Sequence, residues 1–342
     1  MTGVRAWAAD RESAGLRRWL QIGLGVVWVL DAALQYQPYM FGRPFVTQII
    51  DPAGAGSPAF VANSVTGAGH LMLHNVVLFN AVFATVQLLL GAGLLWRPAV
   101  RAALAGTVAW GAGVWFLGEG AGGILTGSAS PLTGAPGAAL LYALLAVLVW
   151  PRRRRLPAVT DPAGPGRAGP LSVAAGSPAG ALWSRVLWLV LWASSGYFLL
   201  QSQVRGPGVL RSTIAGLAGG EPGWLAHIDR TAATAIGSAG GVISIAAAVA
   251  FALIGIAVFI PAATRPALIL AIIAAAAIWV VGEDFGGIFT GTGTDPNTGP
   301  LLILLAAAYW PLVGGRVQHQ TAAGTPDSAQ LSDPQTTVTT AR

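Results

Sequence analysis

Two glutamates, one in each half of the chain, stand in nearly the same surroundings. Glu119 lies in "WFLGEGAGGILTG" and Glu283 in "WVVGEDFGGIFTG", where Asp284 follows it directly. Each comes at the end of an apolar run, so it faces the negative end of a helix macrodipole, a placement unfavourable by about 0.3–1 kcal/mol. Something must compensate. Three means are open: the N-terminal amides of a following helix, an arginine such as Arg43, Arg205 or Arg211, or a proton held in a dry pocket. The two glutamates either clamp a broken helix or handle a ligand, an ion or a proton.

A second repeated pair is Gln35 and Gln37 in "LQYQP", matched by Gln201 and Gln203 in "LQSQV". Their amides donate and accept, which predicts hydrogen bonds to the glutamate motifs or direct contact with a ligand. Asp31 lies about 18 Å along a helix from Trp19 at 1.5 Å per residue, in the outer half of the first apolar run. An acid at membrane depth is costly enough to suggest function, against the plainer reading of a bond to a neighbouring helix. The interval from Gln35 to Gln201, applied to Asp31, reaches Tyr197, so if one half of the chain is active, it is the first.

His70, Met72 and His74, with Met40 on the same side, invite a copper reading, because imidazole and thioether both bind that metal. In a helix, however, His70 and His74 share one face and Met72 points nearly opposite. That favours interfacial helix-start residues over a metal site. No nucleotide loop, Ser/His/Asp arrangement or basic aromatic groove is present, and nucleic acid is not an expected partner.

These residues need elements to position them, and composition says which. The 342 residues are 54% hydrophobic and 9% charged, with mean hydropathy +0.64, far from the surface of a soluble globule. The bilayer is the expected partner. All 19 basic residues are Arg, which removes Schiff-base lysine chemistry, and the absence of Cys removes thiolate metal sites and redox dithiols.

A bilayer core of about 30 Å needs roughly 20 apolar residues. Runs at 19–37, 73–95, 99–118, 136–150, 186–203, 236–260, 266–282 and 299–313 predict about eight transmembrane helices. The runs at 136–150 and 299–313 are too short to cross unaided, so the glycine-rich segments before them are expected to enter the outer leaflet as broken or re-entrant elements.

Trp279 follows Trp115, and Arg265 follows Arg101, at the same interval that separates Glu283 from Glu119. Four spans per half then make two parallel four-helix repeats, an all-α polytopic membrane fold. The expected organisation is a cytoplasmic N-terminus at 1–18, repeats at 19–151 and 185–314, a disordered linker at 152–184 and a disordered tail at 315–342. Arg97, Arg101, Arg152–Arg155, Arg185, Arg265 and Arg316 fall on one side, which the positive-inside rule makes cytoplasmic together with both termini. The glutamate motifs then face outward, with a crevice between the halves as their expected setting.

A four-span unit whose first helix follows Arg18 and carries Gly23, Gly25 and Asp31 resembles the DoxX/DoxD-like bacterial membrane proteins, here in tandem. The Ala, Gly and Arg bias without Lys is similar to that of proteins from GC-rich actinobacteria. The resemblance covers the four-span plan of each half and the first helix, and does not extend to the "GExxGGxxTG" pattern. It implies a bacterial plasma membrane location and a membrane subunit of a quinone-linked or other redox system, with quinone as the ligand and redox subunits as partners. A small-solute or ion transporter and a non-catalytic scaffold are the alternatives that the residues themselves leave open.

Overall fold

The computed structural model describes residues 2–151 and 172–312, and every regular element among them is helical. The chain opens with α1 (Thr2–Gln35), followed by irregular turns and α2 (Ala59–Leu73), then α3 (Val76–Leu95), α4 (Val100–Leu117) and the short α5 (Ala138–Leu148). It continues as α6 (Gly180–Leu200), α7 (Val209–Leu217), α8 (Gly223–Ile236), α9 (Gly240–Ala257), α10 (Pro261–Ala277) and the short α11 (Thr298–Ala308). The predicted run at 19–37 is thus only part of α1, a continuous helix that includes residues of the expected N-terminal segment.

Among the described residues, four helices are long and apolar enough to cross a membrane: Val76–Leu95, Arg97–Leu117, Gly240–Ala257 and Pro261–Gly282. Their outward faces carry exposed large apolar residues, among them Val77, Leu89, Val242, Leu253 and Ile273. In water such faces would aggregate; against acyl chains they are satisfied. The chain is a helical membrane protein in contact with lipid.

Packing follows sequence neighbours and small residues. α1 lies along α3, where Gly91 lets the backbones touch: a Cβ there would stand 2.7 Å from Val29 and 2.9 Å from the Gly25 carbonyl. α6 lies along α9, tied by the Trp188 indole, which donates to the Ile254 carbonyl at 3.0 Å. α5 packs on α4, α11 on α10, and α5 and α11 on each other. These two short helices are buried on nearly all sides, so the centre of the protein is made of the elements least able to span it. At 11 residues, each is about 16 Å long.

One end of the bundle is closed by side chains of α1 on helix carbonyls. Gln21 donates to Val149 at 2.9 Å, Arg17 to Trp150 at 3.0 Å, and Arg18 to Leu94 and Leu95 at 2.8 and 2.6 Å. The predicted disordered linker needs correction here. Residues 152–171 lie outside the described residues, but 172–179 is a folded turn with Val173 and Ala174 fully buried. The amide of Ala174 donates to Ala308 at 2.9 Å, and Arg17 reaches the Val173 carbonyl. Small apolar residues fill the space at the end of α11 that a polar linker would leave open. The predicted tail at 315–342 lies outside the described residues.

Candidate functional site

The glycine motifs fold as left-handed turns. Gly120, Ala121, Gly122 and Gly123 have φ of 57°, 57°, 60° and 66°, and Asp284, Phe285, Gly286 and Gly287 have 46°, 57°, 77° and 65°. Four consecutive left-handed residues are costly for side chains with a Cβ, which explains the glycines and marks Ala121, Asp284 and Phe285 as strained. Hydrogen bonds from Gly122 to the Glu119 carbonyl at 2.9 Å and from Gly286 to the Glu283 carbonyl at 2.6 Å close the turns. Phe285 is held in place by its neighbours: its ring meets Trp279 at 5.0 Å and Phe289 at 5.7 Å between centroids.

The reversal brings each glutamate from the end of one helix to the start of the next. Glu119 Oε1 accepts from the Ala139 amide at 2.9 Å at the start of α5. Glu283 Oε2 accepts from Gly299 at 3.0 Å, and Oε1 accepts from the Thr298 amide at 3.3 Å and from its hydroxyl. The positive ends of α5 and α11 thereby compensate for the negative ends left behind. Trp115 and Trp279 brace the same loops, donating to the carbonyls of Pro136 and Pro296 at 2.7 and 2.8 Å.

The two motifs differ in what remains free. Both oxygens of Glu283 are bonded, whereas Glu119 Oε2 is buried without a partner and its residue lines a cavity of about 550 Å³. This cavity is walled by α1 to α5, with Phe45, Met72, Phe79, Phe83 and Trp110 as its apolar body. Leu71, Ala109, Gly113 and Leu117 in its lining are exposed on α2 and α4, so it opens on the side of the bundle.

Its polar end is built by Asp31, Gln35, Gln87, Glu119, Tyr142 and Asp295. Tyr142 donates to Asp31 Oδ2 at 2.6 Å, and the Trp28 ring covers the phenol at 4.2 Å between centroids. Asp31 Oδ1, Gln35 Oε1 and Gln87 Oε1 are buried and unpartnered. Asp295 arrives from the loop before α11, fixed by the Asn297 amide at 2.7 Å and the Thr294 hydroxyl at 2.8 Å. Among the described residues, three carboxyl groups and no basic side chain face this space. Such a set offers donors when protonated and acceptors when ionised, to a ligand whose remainder is apolar.

The other expected residues stand elsewhere. Gln37 donates to the Gly293 carbonyl at 3.3 Å, a bond to the loop after the second glutamate motif. Gln201 keeps a buried, unpartnered Oε1, and Gln203 is exposed. Neither they nor Glu283 and Asp284 line the cavity. His70 and His74 are exposed on α2 and its cap, with the His74 ring on the His70 carbonyl at 2.8 Å, while Met72 points into the cavity. Among the described residues no three His, Cys, Asp or Glu side chains converge as a metal site would require.

Asp284 instead lies near Asp229 of α8: Asp284 Oδ1 and both carboxyl oxygens of Asp229 are buried without a hydrogen-bond partner, and the Asp229 charge acts on Asp284. Burial first, then the Asp229 charge and Glu221, raise Asp284 above the usual carboxylate range; burial also raises Asp229, against the nearby Arg230 charge.

Sequence reasoning missed Tyr142, Gln87, Asp295 and Asp229. Tyr142 carried one faint signal: like Asp31, it has no counterpart of its own type in the second half, where Leu302 holds the equivalent place on the matching short helix. Comparison of the chain with protein-family models, curated proteins and solved structures finds no match.

Proposed function

We propose that this protein is the membrane subunit of a quinone-linked redox system in a bacterial plasma membrane, and that the side-opening cavity takes up the quinone from the bilayer. The observation that carries this reading is the Asp31–Tyr142 pair at the polar end of an otherwise apolar space. A quinone has that division of character, a ring with carbonyl oxygens on an apolar tail. Its reduction to a quinol takes two electrons and two protons. A redox partner subunit supplies the electrons. With Tyr142 holding Asp31 Oδ2, the protonated carboxyls of Asp31, through Oδ1, and of Glu119, through Oε2, would donate to the carbonyl oxygens and supply the two protons.

The architecture that serves this reading has about eight helices in two parallel repeats, with both termini cytoplasmic. The common interval from Trp115 to Trp279 and from Glu119 to Glu283, together with the twin left-handed turns, supports the duplication. Paired broken segments favour a second reading, a small-solute or ion transporter. The full bonding of Glu283 weighs against it, since that carboxylate has no lone pair facing an open space.

Solvent extraction of the protein purified from its native membrane separates the two readings. A quinone recovered near one per chain supports the redox subunit. Phospholipid alone, with proteoliposome uptake abolished by Glu119→Gln, would establish the transporter instead.

A further inference from the structure

At the opposite end of the bundle lies a second cavity, of about 1140 Å³, between the start of α1 and the α3–α4 connection. Arg11, Arg18, Arg97 and Arg101 line it, and among the described residues no acidic side chain does. Arg18 is spent on the carbonyls of Leu94 and Leu95, and its charge is disfavoured by burial first and then by the nearby Arg97 charge. Arg97 and Arg101 are exposed and make no hydrogen bond or ion pair among the described residues. Orientation by the positive-inside rule needs arginines beside the spans, but it does not need them to converge on one cleft. Where the duplication would repeat Arg97 the chain has Pro261, so the second half does not share the arrangement.

Two such arginines beside a third that already bears the repulsion of Arg97 leave the position of an anion open. Its level in the membrane is set by Trp19 and Trp96, exposed indoles beside the cleft at 72% and 66%, where aromatic side chains mark the headgroup region. Ile22 and Val100 continue the cleft wall toward the spans, along the course of an acyl chain. We propose that this cleft binds the phosphate of an anionic phospholipid of the adjacent leaflet, with Arg97 and Arg101 as its principal donors. Guanidinium groups suit phosphate oxygens because they donate in pairs.

The test uses the full chain in mixed micelles holding equal phosphatidylglycerol and phosphatidylcholine, with bound lipid counted by native mass spectrometry. The parent retains phosphatidylglycerol over phosphatidylcholine on the order of tenfold. An Arg97→Gln/Arg101→Gln variant, whose melting is checked for folding, loses most of that preference. Arg265→Gln keeps it. Equal retention of the two lipids by the parent, or an unchanged preference in the double variant, overturns the site. Displacement of phosphatidylglycerol by inorganic phosphate at the same concentration overturns the lipid assignment, since a free anion would then be the better fit.

Discussion

The phenol of Tyr142 donates to Oδ2 of Asp31 at 2.6 Å across 111 residues of chain, joining the buried face of α1 to the central helix α5. The pair is costly to break from the tyrosine side. Tyr142→Phe leaves a buried carboxyl without its donor and is expected to lower stability by about 1–3 kcal/mol, whereas Asp31→Asn keeps an acceptor for the phenol and loses less. Thermal melts of both variants and of the double mutant give the coupling. Strict additivity would mean that the two side chains do not act together.

The glutamates should respond unequally to truncation. Glu119→Ala removes one amide cap, a loss of about 0.5–2 kcal/mol, while Glu283→Ala orphans the Gly299 amide and the Thr298 hydroxyl, the Thr298 amide keeping Asn297 Oδ1 at 2.9 Å, and should exceed it. Glu119→Gln should melt like the parent, because its amide oxygen still accepts from Ala139. Equal losses in the two alanine variants would contradict the bonding described for them.

The left-handed turn makes a graded prediction. Gly123→Ala, with open space around the new methyl, should cost only the conformational strain of about 1–2 kcal/mol. Gly122→Ala adds an overlap with the Pro136 carbonyl and should cost clearly more or prevent folding. Comparable melting of the two would argue against the turn.

Stability should fall as pH rises from about 4 toward neutrality. An acid whose folded value is raised holds its proton more tightly folded than unfolded, so its contribution is complete below the unfolded value and is lost as pH climbs through the folded one. Asp284 and Asp229 are both of this kind. Asp284→Asn should flatten the slope and raise melting at neutral pH. A steeper slope in that variant would contradict the burial of these two carboxyl groups beside each other.

What the sequence made legible follows from distance along the chain. The apolar runs declare a membrane protein by length and composition, since lipid admits few alternatives. Glu119 and Ala139 are 20 residues apart, so a following helix N-terminus was among the means of compensation that reasoning could name. Tyr142 as partner for Asp31 was not, because periodicity fixes the face of one helix and not which helices face each other. The same holds for Asp295, which comes from beyond residue 172 to a cavity walled by α1 to α5. Val173 and Ala174 misled for a different reason: a Pro- and Gly-rich stretch reads as linker, while two small apolar residues suffice to fill a gap that only the packed helices define.

The central claim is that a quinone-class molecule binds with its head at Asp31 and Tyr142. Its most direct measurement is quenching of tryptophan fluorescence as a short-tailed benzoquinone is titrated into the full chain in phosphatidylcholine nanodiscs, because Trp28 and Trp110 line the cavity. Saturable quenching by the parent, weakened about tenfold in Asp31→Ala by the loss of one hydrogen bond to the head and in Tyr142→Phe by the loss of the donor that positions Asp31, is the predicted result. Quenching that rises without saturation, or that is the same in the parent and in both folded variants, would contradict it.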